Sequence, residues 1–70
     1  AVCPGVIATP MIDRATGGDA AAAAAFAAAA PMGRMGTPEE IASAIVWLCE
    51  PGAAFTTGHA LVSDGGWTAR

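Results

Sequence analysis

Few residues in this chain of 70 are of types that could do chemistry. Glu39 and Glu40 are adjacent carboxylates, a pairing that general acid–base catalysis can use. Their place straight after Thr37-Pro38, ahead of an apolar run, reads instead as the negatively charged start of a helix. His59 is the only histidine and reads as a strand surface residue rather than a proton carrier. Cys3, Cys49 and His59 have no metal-ligand spacing, and two cysteines make no disulfide framework. The thiols read as small core residues in a reducing compartment. There remains the opening stretch AVCPGVIATPM. Pro4 cannot donate to a sheet ladder, and Gly5 permits an unusual dihedral or a close approach, so strand pairing is expected to stop there. The bare turn is either an ordinary strand exit, with Thr9 capping a turn, or one wall of a ligand site.

These residues must be held by elements, and the elements are legible in outline. Residues 1–3 read as the end of a buried strand, shorter than the usual five or six residues, about half a strand. Residues 10–18, PMIDRATGG, read as loop. Asp19 precedes a run of alanines broken by Phe26, which predicts an N-capped helix over 20–30 that Pro31 ends. PMGRMG reads as a second loop, with Arg34 bonding loop carbonyls. Thr37, Pro38 and Glu40 then spell a capping box with proline in the first turn. Ile41, Ala44, Ile45, Leu48 and Cys49 make one broad apolar face of a helix, and Pro51-Gly52 stops it. Trp47 lies off that face. Residues 59–63 read as a short strand, and Asp64 as closing a turn with the amides of Gly65 and Gly66.

The order is that of a βαβ unit with a long helical insertion. Parallel strands normally sit in a larger sheet covered on both faces, so the pattern looks like one end of a bigger α/β domain, incomplete as an independent fold. Net charge is −3 and the three cations, Arg14, Arg34 and Arg70, are scattered, which argues against a nucleic-acid surface. The longest uncharged apolar run, 20–30, is far short of the roughly 20 residues that cross a bilayer, and no secretory leader is expected.

Taken in series, PGVIATPM, PMGRMGTPEEIASAIVWL and TTGHALVSDGG resemble the C-terminal part of the short-chain dehydrogenase/reductase family. The departures are Ser63 where valine usually stands, a connecting segment reduced largely to alanine, and the lack of a glycine-rich first turn. The family's tyrosine–lysine acid/base pair is also missing, because the chain contains neither residue type.

The resemblance implies the C-terminal βαβ portion of a Rossmann-type, doubly wound parallel sheet. Residues 1–9 would be the strand end and cofactor-side loop, 10–36 a substrate lid, 37–50 a helix, 59–63 the last strand and 64–70 a tail. It implies NAD or NADP as cofactor, with hydride moving to or from an alcohol or ketone. Pro4, Gly5, Ile7 and Thr9 would then wall the nicotinamide pocket, the main chain of Ile7 meeting the carboxamide and Thr9 offering its hydroxyl. Met11, Ile12 and Phe26 are the candidate lid contacts, Phe26 also being the anchor of an alanine helix. It further implies a homo-oligomer, tetramer or dimer, paired through the last helix and strand, and a cytoplasmic enzyme. The competing reading is a free-standing, non-catalytic small protein that dimerises or docks onto a full-length relative through helix 38–50.

Overall fold

The structure, a computed structural model, describes residues 1–69. Two three-residue strands, β1 (Val2–Pro4) and β2 (Leu61–Ser63), lie side by side and parallel. Val2 pairs with Leu61, Cys3 with Val62 and Pro4 with Ser63. Between them run three helices: α1 (Pro10–Thr16), α2 (Ala20–Ala29) and α3 (Pro38–Leu48). Single 3₁₀ turns follow at Pro51–Ala53 and at Trp67–Ala69. The second of these falls in the expected 64–70 tail, of which Arg70 lies outside the described residues.

Pairing does not stop before Pro4, as its missing N–H led us to expect. The ladder runs on through Gly5, whose N–H donates to the Ser63 carbonyl at 3.0 Å. At the other end the Leu61 N–H donates to the Ala1 carbonyl. Alternate residues of a parallel strand address the same neighbour, so residues 1 and 5 face β2 while the ring nitrogen of Pro4 faces away. Proline therefore costs this ladder nothing. The second strand is shorter than the expected 59–63, because it matches β1 residue for residue and His59 stays outside it.

The stretch 10–18, expected as loop, is mostly helix. Thr9 is extended at the N-cap, and Pro10 occupies the first helical position, where its fixed φ is already helical. The helix ends at Gly17 and Gly18, with φ of 61° and 78°. Their N–H groups donate to the carbonyls of Arg14 and Asp13, satisfying two groups that the helix end would otherwise leave open. α2 forms where its alanines require it. Asp19 accepts from the Ala21 N–H at 2.9 Å, and Ala30, before Pro31, is extended.

α3 packs on the sheet with Ile41, Ala44 and Leu48, which are half-buried. Ile45 and Cys49, expected on the same buried face, are exposed, because two short strands are too narrow to cover the whole stripe. Cys3 is exposed as well, paired with exposed Val62 on the alternate face of the strands. Neither thiol is therefore a core residue.

Only Ala30 and Ala53 are buried among the described residues, and no large side chain is fully enclosed. The radius of gyration is 13.8 Å, against about 11 Å for a compact chain of this length. The exposed area of 4755 Å² exceeds the roughly 4,000 Å² of a folded monomer of this mass. The smallest dimension, 15 Å, is the depth of one sheet and one helix layer. Among the described residues, no helix is long and apolar enough to cross a membrane.

Candidate functional site

The site lies beyond the carboxyl ends of β1 and β2, where the chain leaves the sheet through Gly5–Thr9 on one side and Asp64–Gly66 on the other. Open α/β sheets bind ligands at this end. Gly5 is half-buried, and its missing side chain has a structural reason. A Cβ there would lie 2.8 Å from the Cα and the Cβ of Asp64 and 3.2 Å from its carbonyl oxygen. The close approach at Gly5 is thus made by Asp64.

Asp64 is itself locked. One carboxylate oxygen accepts from the Gly66 N–H at 2.9 Å; the other accepts from the Thr68 N–H at 3.0 Å and the Thr68 hydroxyl at 2.9 Å. These donors, led by the Thr68 amide, hold its pKa below the ordinary aspartate value. The expected partnership with the Gly65 amide is replaced by Thr68, because the chain folds into a 3₁₀ turn and brings residue 68 back over the carboxylate.

Past Gly5 the chain forms one further parallel bridge, between Ile7 and Gly36. The Gly36 N–H donates to the Val6 carbonyl at 3.0 Å, and the Ala8 N–H donates to the Gly36 carbonyl at 2.9 Å. In this register the bridge uses neither the N–H nor the C=O of Ile7 itself. Both groups point away from Gly36. The Ile7 side chain turns inward, its Cδ1 lying 2.8 Å from where a Cβ on Gly36 would be.

The candidate residues fall into three groups. Pro4 and Gly5 line an open cleft of about 280 Å³, together with Cys3, Val62, Asp64 and Trp67. Ile7 and Phe26 meet instead in a smaller hollow of about 100 Å³, with Ala30, Met32, Arg34 and Trp67. Thr9, Met11 and Ile12 line neither. Thr9 is the N-cap of α1, and its carbonyl accepts from the N–H groups of Ile12 and Asp13. Its side chain makes no capping bond. Met11 is exposed and Ile12 half-buried on α1.

Residues not singled out for the site complete the scaffold. Arg34 bonds a loop carbonyl, that of Met35, at 3.1 Å. It also forms a two-pronged ion pair with Glu40, at 2.8 and 2.9 Å. Glu40 accepts from the Thr37 N–H at 2.9 Å, and Thr37 Oγ1 accepts from the Glu40 N–H at 3.2 Å, so the expected capping box is present. The Arg34 guanidinium, with the Thr37 amide, pulls the Glu40 pKa down to about 2. Thr37 and Glu40 stand three apart in one helical turn, a spacing that sequence displays directly. The reach from Arg34 crosses a loop–helix junction and has no such periodic signature.

Comparison with known proteins finds relatives of this chain and counterparts of its fold. A protein-family model described as enoyl-(acyl carrier protein) reductase matches residues 1–68. The 2-keto-3-deoxy-L-fuconate dehydrogenase of Xanthomonas campestris pv. campestris is 44% identical over 72 residues, covering 97% of this chain and 24% of the relative. Ligand-free aldohexose dehydrogenase of Thermoplasma acidophilum superposes with a TM-score of 0.92 at 37% identity, over 100% of this chain and 31% of that one. An Agrobacterium tumefaciens protein assigned as a 2-deoxy-D-gluconate 3-dehydrogenase, solved with bound NADP, superposes with a TM-score of 0.84 at 41% identity, over 100% and 28%. The chain thus spans about a quarter of the length of the curated relatives it matches. With motif blocks, strand topology and matched length in agreement, the chain belongs to the short-chain dehydrogenase/reductase family.

Proposed function

We propose that this chain is the C-terminal portion of an NAD(P)-dependent oxidoreductase that moves hydride between a nicotinamide cofactor and an alcohol or ketone. It supplies the nicotinamide-side wall, Pro4, Gly5, Ile7 and Thr9, and a helical substrate cover carrying Met11, Ile12 and Phe26. The observation that carries the reading is the Ile7–Gly36 bridge. It spends the amide of Ala8 and the carbonyl of Val6 on Gly36 and leaves the donor and acceptor of Ile7 facing outward. A carboxamide needs that combination, one acceptor and one donor on adjacent atoms of one edge. The nicotinamide ring, when bound, carries the hydride.

This chain's residues bind and orient. Ile7 selects which ring face is turned toward substrate. Pro4 and Gly5 line the adjoining cleft at the strand exit, where Asp64 packs on Gly5, and Thr9 offers a hydroxyl that its own helix does not use. Acid–base work falls to residues elsewhere in the complete protein, since this chain has no tyrosine and no lysine. The bound NADP of one similar structure supports a nicotinamide dinucleotide as the cofactor class. The two unpaired thiols fit a reducing, cytoplasmic setting.

The exposed run Val46–Trp47, off the sheet-facing stripe of α3, supports a second polypeptide surface there, a further copy of the chain in an oligomer. The same run would serve the alternative reading of a non-catalytic docking protein. Sequencing the gene around this segment separates the two. An upstream frame with a glycine-rich strand-to-helix turn and a Tyr-x-x-x-Lys supports the oxidoreductase. A coding region that holds this segment alone, or holds it ahead of those motifs, overturns the C-terminal reading.

A further inference from the structure

Resting on the proposed function, we infer that the Arg34–Glu40 pair is a positioning device for the cofactor-facing edge of Ile7. The connection is continuous. Glu40 sits in the first turn of α3 and holds two points of the preceding loop, the Arg34 guanidinium and the Thr37 amide. Arg34 in turn holds the Met35 carbonyl. Gly36 lies between these anchored points, with Met35 before it and Thr37 after it. Its own N–H and C=O are the two groups that grip Val6 and Ala8. The orientation of the Gly36 peptide therefore decides the orientation of the Val6–Ala8 strand, and with it where Ile7 aims its free N–H and C=O.

An exposed ion pair adds little to global stability, so the two-pronged geometry points to direction rather than strength. Gly36 has reason to need the help. It has no side chain of its own to wedge it in place, and the space a Cβ would take is filled by Ile7 Cδ1. The clamp acts from the outer side of the bridge while Ile7 packs on the inner side. Arg34 lines the same hollow as Ile7 without belonging to the wall that meets the cofactor. It is a positioning residue and not a catalytic one.

The test uses the complete protein carrying this segment, with Arg34→Met, Arg34→Lys and Glu40→Gln variants. Binding of NADH or NADPH is followed by fluorescence, and binding of ADP-ribose or its 2′-phosphate, which lack the nicotinamide, by competition. We expect Arg34→Met to weaken the reduced cofactor about tenfold, while the truncated ligand stays within about twofold. Arg34→Lys keeps the charge without the fork and falls between. Glu40→Gln keeps the acceptor for the Thr37 amide and shows the same selective loss if Arg34→Met fails to fold. Equal weakening of both ligands, or no weakening of either, overturns the inference. A wild-type protein that binds no nicotinamide cofactor overturns the functional reading first, and the inference with it.

Discussion

The backbone of Asp64 sits where a side chain on Gly5 would have to be: a Cβ at Gly5 would lie 2.8 Å from the Asp64 Cα. Contacts below about 3.0 Å do not persist, so Gly5→Ala must push the two strand ends apart. An overpacked site of this kind costs about 1–3 kcal/mol. Gly52→Ala is the control, because nothing lies within 4 Å of a Cβ there, and its effect should stay within about 0.5 kcal/mol. Denaturant unfolding of the complete protein with each substitution checks the difference.

Glu40 gives stability a small acid dependence, reduced by solvent screening because both partners of its ion pair are about half exposed. Its carboxylate pKa falls from 4.5 to about 2, first through the Arg34 guanidinium and then through the Thr37 amide. The unfolded chain therefore takes up the proton more readily than the folded one. The contribution is complete above about 4.5 and is lost as pH falls toward about 2. Asp64, also lowered, acts in the same direction. Thermal midpoints measured down this range should drop for the wild type and drop less for Glu40→Gln. An identical slope in both would remove Glu40 from the account.

Thr9 separates structure from function. Its side chain makes no capping bond, and its backbone is extended at φ −133°, a conformation that suits valine. Thr9→Val should therefore leave the unfolding free energy within about 0.5 kcal/mol. If the hydroxyl meets the cofactor as proposed, the same substitution weakens NAD(P)H binding by about fivefold or more, the worth of one neutral hydrogen bond. Loss of stability without loss of binding would assign the Thr9 hydroxyl to the helix start and not to the cofactor.

Asp19 carries the start of α2, since its carboxylate accepts from the Ala21 N–H and the helix has no charged residue in its first turn. Asp19→Ala should cost about 1 kcal/mol locally, and Asp19→Asn, an equally good cap, much less. Amide hydrogen exchange should show faster opening across Ala20–Ala29 in the alanine variant, with α3 unchanged.

Gly17 is a case of conformation rather than space. It stands at φ 61° with nothing within 4 Å of a Cβ. Gly17→Ala should cost about 1 kcal/mol through the left-handed backbone alone. Gly17→Asn, which tolerates that region, should recover part of it, as read from the same unfolding curves.

What the sequence determined by itself is whatever acts over one helical turn. The Thr37–Glu40 capping box, the Asp19 cap and the stop at Pro31 are contacts or exclusions between residues a few positions apart, so the spelling carries the geometry. The family blocks were legible for the same reason, as short words in a fixed order. α1 lay at the edge of that reach. Its Pro10 start and Gly17-Gly18 stop are local signals, but seven residues rich in loop formers give too little periodicity to outweigh them.

Tertiary structure alone decided the rest. That Gly5 answers to Asp64, that β1 runs on through Pro4, and that Ile7 is left with its N–H and C=O facing outward all depend on which strand lies beside which, and in what register. So does the exposure of Ile45 and Cys49, since an apolar stripe is buried only as far as its partner surface extends. These relationships join residues far apart in the chain, and periodicity within a single element has no means of expressing them.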